Sequence, residues 1–457
     1  MKRFWLVLLS LGLVLAFSAQ AFAVDVKFSG SFYAAGMYLD RTTLMDRTNG
    51  SDKVSTAFYY QRLRVQTDFI VSPGLKLVTR FDAMERAWGA ARKEAAYGAL
   101  STASAKDSYG TIAENENIAF DWAYIEYASP IGTLSAGIMN DGSTGTIFGN
   151  SYAPAGRIKY SLPIGAFTIN TAYTKSIDNS STAKTPATTT DADSDKYGIE
   201  GVYAWKGGKA GINVNYYRKA DKKPASNHYL AKYFLLTPYV IAKIGPVDIQ
   251  AELNWASGKA KEYDSATLGN DQTMDEMSGW IDATVTFNPV YFGATFAYVS
   301  GDDPTTSDRK EGGDIDGGRD WNPTLIMFNY YDRYFWAGPL AGWDAASDVG
   351  TMGTTSSTTS TAPGAWFAQG RVGVKPIAAL DIMASLSYAQ ADKKPLGVLN
   401  STYGYEIDVT GTYKITNNLS YMMGVGYWFV GDYYKGSSNT NAVQNDYMLI
   451  NKLTLTF

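Results

Sequence analysis

The sequence predicts an all-β chain: a transmembrane antiparallel β-barrel of 16 to 18 strands, 18 preferred, with short turns at one end and long loops at the other. Two-faced alternating segments recur along the chain, and tight turns alternate with long connections between them. The final segment, Tyr447 to Phe457 (YMLINKLTLTF), places Tyr447, Leu449, Leu453, Leu455 and Phe457 on one face of a strand and Lys452, Thr454 and Thr456 on the other. A membrane-spanning strand needs about 9 to 11 residues with one face for lipid and one for water, and this segment meets both conditions.

At the other end Met1, Lys2 and Arg3 give a positive start, Phe4 to Phe17 an apolar run and Ala21-Phe22-Ala23 a small-residue cleavage site. Residues 1–23 therefore read as a cleaved signal peptide and 24–457 as a single barrel domain. No other apolar run is long enough for a spanning helix; Leu325 to Trp343 is interrupted by Asp332 and Arg333. The chain has no cysteine, which excludes disulfides and thiolate metal sites. Its net charge of −4, about −6 once Lys2 and Arg3 leave, and the lack of a basic stripe interleaved with aromatics argue against nucleic acid as a partner. With 33 Tyr, 11 Trp and 44 Gly and a negative mean hydropathy, the chain is rich in aromatics without being greasy. That composition suits strands of which half faces water.

Strands are expected near 26–40, 56–71, 75–88, 118–129, 132–140, 156–162, 166–176, 196–206, 209–219, 229–244, 246–257, 277–287, 290–300, 364–375, 380–390, 402–415, 419–431 and 446–457. The short segments 132–140 and 156–162 keep sixteen open. Three segments fix the register. Leu63, Val65, Phe69 and Val71 oppose Arg62, Arg64, Gln66 and Asp68; Val247, Ile249, Ala251, Leu253 and Trp255 oppose Asp248, Gln250, Glu252 and Asn254; and Tyr403, Tyr405, Ile407, Val409 and Tyr413 oppose Glu406, Asp408, Thr410 and Lys414. Tight turns fall at Ser72-Pro73-Gly74, Ser129-Pro130-Ile131, 163–166, Gly207-Gly208, Gly245-Pro246, Asn288-Pro289, 376–379 and 416–418, and every connection between them is longer. A soluble β-sandwich would need a denser Val/Ile/Leu core than these faces offer. Tyr403 and Tyr413, ten residues apart, would stand about 33 Å apart along the strand, or roughly 25 Å after tilt, the height of a lipid-facing band.

The segment from Trp122 to Gly137 resembles the strand, turn and strand of Gram-negative general (trimeric-type) outer-membrane porins; Ala123, Tyr124, Gly132, Thr133, Leu134 and Gly137 match that pattern. Gly156 to Tyr173 resembles the next strand pair, and the terminal strand ending in Phe457 resembles the family's C-terminal signature. Leu455 stands where the family often has tyrosine, and Ile138 where it commonly has arginine. The resemblance implies a porin of the cell outer membrane: a water-filled channel for passive diffusion of small hydrophilic solutes and ions, without a cofactor. It also implies a homotrimer, contact with membrane lipid and lipopolysaccharide, and recognition of Phe457 by the barrel assembly machinery. The alternative from another class is a structural or interaction barrel, a sheath for a partner protein or an adhesive surface, with little open-pore transport.

A lumen needs polar side chains, and the register supplies them at Arg62, Arg64, Arg80, Asp82, Arg157, Lys159, Glu200, Asp248, Glu252, Asp282, Arg371, Lys375, Glu406 and Asp408. An arginine turned outward would cost about 2 to 4 kcal/mol at the bilayer midplane. Basic residues early and acidic residues later would set a transverse field, with Arg62, Arg64 and Arg80 at its positive side; ordinary solvated lumen residues are the simpler reading. The connection Asn140 to Ala155 occupies the place of the family's constriction loop, and Asp141, Ile147, Phe148 and Tyr152 are its narrowing candidates. The long extracellular loop, 301–363, divides into three parts. Asp302, Asp303, Asp308, Glu311, Asp314, Asp316 and Asp320 offer oxygen ligands but no EF-hand spacing. Trp321 to Trp343 is aromatic and expected to fold over the barrel mouth or contact a neighbour; 350–362, like 176–195, is Ser/Thr-rich and expected to be mobile. His228, the single histidine, has no serine or aspartate partner by spacing, and no catalytic or metal motif is present.

Overall fold

The computed structural model describes residues 24–41, 44, 55–89, 118–142, 144–150, 153–179, 192–223, 228–313, 320–337 and 362–457. The expected signal peptide, Tyr152, Asp314, Asp316, 350–361 and most of 176–195 lie outside them.

Eighteen antiparallel strands close into one barrel: β1 (Asp25–Leu39), β2 (Thr56–Ser72), β3 (Leu75–Ala87), β4 (Ile118–Ser129), β5 (Gly132–Asn140), β6 (Pro154–Ile164), β7 (Phe167–Ile177), β8 (Ser194–Trp205), β9 (Gly208–Lys219), β10 (Tyr229–Ile244), β11 (Val247–Tyr263), β12 (Gln272–Phe287), β13 (Val290–Val299), β15 (Ala365–Ile377), β16 (Leu380–Gln390), β17 (Thr402–Lys414), β18 (Leu419–Val430) and β19 (Asp446–Thr456). A two-residue piece, β14 (Arg309–Lys310), runs parallel to β12 within the long loop. Each spanning strand pairs with its sequence neighbours, and β1 pairs with β19 from Ser31↔Thr456 to Leu39↔Met448, which leaves no free edge. Sixteen strands are thereby excluded, and 132–140 and 156–162 are full members. Strands β11 and β12 run beyond their expected ends, to Tyr263 and back to Gln272, because the polar residues there still pair with one another.

The outward face is apolar between two aromatic rows. Tyr127, Phe167, Tyr203, Phe287 and Tyr413 stand toward the short-turn end and Tyr59, Tyr197, Phe234, Trp366 and Tyr405 toward the long-loop end, with Ile199, Ile212, Ile281, Ile407 and Val425 among the exposed side chains between them. Such a belt is stable against hydrocarbon, and the closed ladder satisfies the backbone there. Tyr403 is a correction. The pairing shifts between Ala389↔Gly404 and Gln390↔Thr402, Gly404 has φ 129°, and Tyr403 swings inward, 2% exposed, to donate its hydroxyl to the Gly364 carbonyl. The belt on this strand therefore runs from Tyr405 to Tyr413, about 26 Å along the strand.

The seam closes at the chain end: Gly30 N–H donates to the Phe457 carbonyl at 2.8 Å and Phe457 N–H to Gly30 at 3.1 Å. Deleting Phe457 removes both bonds, and the expected result is a lower yield of heat-modifiable folded barrel on refolding into lipid vesicles. An unchanged yield would show that the seam zips without it.

Candidate functional site

The core of this barrel lies in its lumen. Residues Asp320 to Ala337 turn inward from the mouth and bury Trp321, Leu325, Ile326, Met327, Phe328 and Trp336 against the barrel wall. Trp336 stacks on Tyr60 of β2 with centroids 4.5 Å apart, and Trp321 and Phe328 meet Phe367 of β15 edge-on at 5.2 and 5.0 Å. Aromatic pairs of this kind contribute about 0.5–1.5 kcal/mol each beyond their buried area. The expectation that this segment folds over the mouth is corrected: it fills the lumen, because the wall it meets is itself apolar. Tyr33, Ala35, Met37 and Leu39 on β1, Met448 and Ile450 on β19 and Trp428 on β18 all point inward. A seat for Leu325 exists on β18 because a side chain at Gly424 or Gly426 would place its Cβ 3.1 Å from Leu325 atoms.

Polar anchors hold this loop. Glu406, fully buried, accepts the backbone N–H of Ile326 at 2.6 Å and of Met327 at 2.7 Å, one on each carboxylate oxygen. Gln369 donates to the Pro323 carbonyl at 2.6 Å, and Asp332 accepts from the Tyr60 hydroxyl at 2.8 Å and the Lys452 ammonium at 2.9 Å. Asp408, beside Glu406 and 3% exposed, lies under the same loop. These acids face inward, but they fasten a loop and do not line open water.

The loop after β5 crosses the lumen in the same manner. Asp141 at its root ion-pairs with Lys196 and with Arg157 at 3.4 Å and accepts from Thr174 at 3.1 Å. Near its tip Thr146 donates its hydroxyl to Glu252 of β11 at 2.8 Å, and Asn254 donates to the other carboxylate oxygen at 2.9 Å. Phe148 then stacks on Trp280 at 5.9 Å and meets Trp321 edge-on at 5.3 Å, while Ile147 stays 45% exposed. Asp320 N–H donates to the Asn150 carbonyl at 3.2 Å, so the two loops are joined to each other as well as to the wall.

The wall beside them on β2–β4 remains charged. Arg64 makes a bidentate pair with Asp82 at 2.6 Å on both arms, Arg80 reaches Asp121 at 3.2 Å and lies 3.5 Å over the Trp122 ring, and Arg62 meets Glu85 at 3.5 Å. From the long loop, Asp320, hydrogen-bonded by Tyr331 at 2.8 Å, is close enough for Arg64 to act on it electrostatically. Elsewhere Glu200 accepts from Tyr239 and Asn170, both at 2.8 Å; Arg371 is bidentate with Asp282 at 2.6 and 2.8 Å. Lys159 makes no ion pair among the described residues. Asp248 and Lys375 lie at the short-turn rim in exposed pairs with Lys243 and Asp381, away from the constriction.

At the outer mouth Asp302 accepts from Glu311 N–H and Asp303 from Thr305 N–H, and among the described residues no group of three or more acids is placed to hold a metal. Lys175 and the Asn179 N–H hold the Asp193 carboxyl below the usual carboxylate range. His228 sits at the start of β10 with φ 37°.

No family model and no curated protein matches the chain. Solved structures do. The chain is similar to OccK11 (OpdR) of Pseudomonas aeruginosa at 10% identity, covering 95% of this chain and 96% of that one with a TM-score of 0.50. OccK2 (OpdF) of the same organism, in complex with glucuronate, gives 12% identity, 95% and 97% coverage and 0.50. The BenF-like porin of Pseudomonas fluorescens Pf-5 gives 10%, 94% and 99% coverage and 0.50. The fold is that of a Gram-negative outer-membrane porin. In this porin-type barrel two interlocked loops pack into the lumen, of which sequence reasoning placed only the one after β5 there. A signal for the other was present: inward positions on β1, β18 and β19 are apolar where a wet lumen would be polar.

Proposed function

We propose that this chain forms an outer-membrane channel through which small hydrophilic solutes and ions diffuse passively, past a constriction set by the loops at 140–155 and 320–337. The observation that carries this reading is the charged strip of Arg62, Arg64, Arg80, Asp82 and Asp121, kept on β2–β4 beside the loops that pack into the lumen. Asp320 on the long loop is within electrostatic reach of Arg64, so a solute passing there would meet groups of both signs. Glucuronate, held by the OccK2 structure, is a polar solute of the size class this reading assigns. Export through cleavage after Ala23, a homotrimer in contact with lipopolysaccharide, and delivery by the assembly machinery through Phe457 belong to the same proposal.

Two measurements test it. Liposomes carrying the protein should swell in small sugars; a sheath or adhesive barrel would pass none. In planar bilayers, Arg62→Ala with Arg80→Ala removes two positive charges from the strip and should move the reversal potential in a salt gradient toward cations. Unchanged ion preference would remove the strip from the conduction path. Lys159→Glu, a change of the same two charge units at a residue without an ion pair among the described residues, should shift it the same way.

A further inference from the structure

On the lipid-facing side, where β8 to β11 meet, the wall carries an apolar groove of about 730 Å³ lined by Gly201, Tyr203, Ile212, Pro238, Ala251 and Leu253. Its outward aspect is fixed by exposure: Ile212 is 54% and Tyr203 44% exposed, and a Cβ at Gly201 would meet nothing within 4 Å. Pro238 shapes the floor. It has no N–H for the ladder, and pairing of β10 with β11 passes from Leu236↔Trp255 to Tyr239↔Glu252 in one register, with Thr237 and Pro238 skipped. Gly201, Ala210 and Ala251 leave a depression beside Ile212, Pro238 and Leu253, with Ile212 paired directly to Pro238 across the strands.

The short-turn end of the groove is different in chemistry. Phe167 and Tyr203 pack at 4.8 Å and Tyr203 stacks on Trp205 at 5.9 Å, which makes an aromatic lip. Just beyond it Lys206 occupies the turn, and neither its ammonium nor the indole N–H of Trp205, 40% exposed, has a partner among the described residues. Gly201 lies four residues from Trp205, about 13 Å along the strand. Tryptophan rings sit at headgroup depth in membranes, and an ammonium there finds phosphate oxygens as its strongest acceptors.

We infer that this groove is a binding site for one glycerophospholipid of the leaflet at the short-turn side, with an acyl chain along Gly201 and Ala251 and the phosphate at Trp205 and Lys206. The groove is continuous with the belt that already contacts hydrocarbon, and donors at its rim suit a phosphate. A second copy of this chain would instead bring apolar side chains against an unpaired lysine. The inference rests on the barrel being embedded in a bilayer, and it is independent of what passes through the lumen.

Native mass spectrometry of the full folded chain, extracted in detergent and incubated with phosphatidylglycerol, tests it. The unmodified protein should retain one phospholipid. Gly201→Phe should lower that occupancy about tenfold, as should any change costing about 1.4 kcal/mol of binding, and Lys206→Ala should lower it several-fold. Gly411→Phe, at another open position on the lipid-facing side, should leave it unchanged. No retained lipid on the unmodified protein, equal retention in Gly201→Phe, or equal loss in Gly411→Phe would each overturn the site. A change in oligomeric mass of Gly201→Phe at unaltered lipid occupancy would overturn it in favour of a contact between copies. Single-channel conductance of Gly201→Phe should match the unmodified protein, which separates failure here from failure of the channel reading.

Discussion

Glu406→Ala is expected to raise single-channel conductance several-fold. The carboxylate accepts two backbone N–H groups from the lumen loop at 2.6 and 2.7 Å in a fully buried position. Buried hydrogen bonds contribute about 0.5–1.5 kcal/mol each, and their loss also leaves the Ile326 and Met327 N–H groups without acceptors, at about 1–3 kcal/mol for each group left buried. A loss of roughly 3 kcal/mol moves the ratio of docked to undocked loop about a hundredfold. The aromatic packing of Trp321, Phe328 and Trp336 persists, so the loop should leave in part and the current should fluctuate between two levels. Glu406→Gln keeps the shape and one carbonyl acceptor, and an intermediate effect is expected. Conductance equal to that of the unmodified protein in Glu406→Ala would mean that the loop is held by its apolar face alone.

A covalent link across the same contact should reverse the change. A Cβ at Gly426 would lie 3.1 Å from the Leu325 Cβ, near the separation of about 3.5–4.5 Å that a disulfide takes up. The chain has no cysteine of its own, so a pair introduced as Leu325→Cys and Gly426→Cys has one way to join. In the Glu406→Ala background, oxidation should return conductance to the low level and reductant should restore the high one. If the conductance of the cross-linked protein stays high, the gain in Glu406→Ala arises from the wall and not from release of the loop.

The barrel and the places of its strands were legible because a barrel wall repeats one rule. Side chains alternate with a period of two, turns punctuate the strands, and the arginines at 62, 64 and 80 can only face water. The inward direction of Glu252, Glu406 and Asp408 followed from that rule. What they do there did not follow, since a buried carboxylate that clasps backbone N–H groups and one that lines a pore look alike in sequence. Tyr403 shows the limit from the other side: one extra residue beside Gly404 in the ladder turns the ring from lipid to lumen, and alternation counted along the strand alone carries no mark of it.

The chain by itself determined the barrel class and the positions of its strands to within sixteen or eighteen, because these depend on local periodicity and on the cost of placing ions in hydrocarbon; ring closure in the structure decided for eighteen. Only the tertiary structure decided where the loops at 140–155 and 320–337 go. Their docking depends on contacts between residues far apart in sequence, Thr146 with Glu252, Ile326 with Glu406, Trp336 with Tyr60; the apolar inward positions of β1, β18 and β19 mark a receiving wall, but no local pattern encodes which loop docks on it.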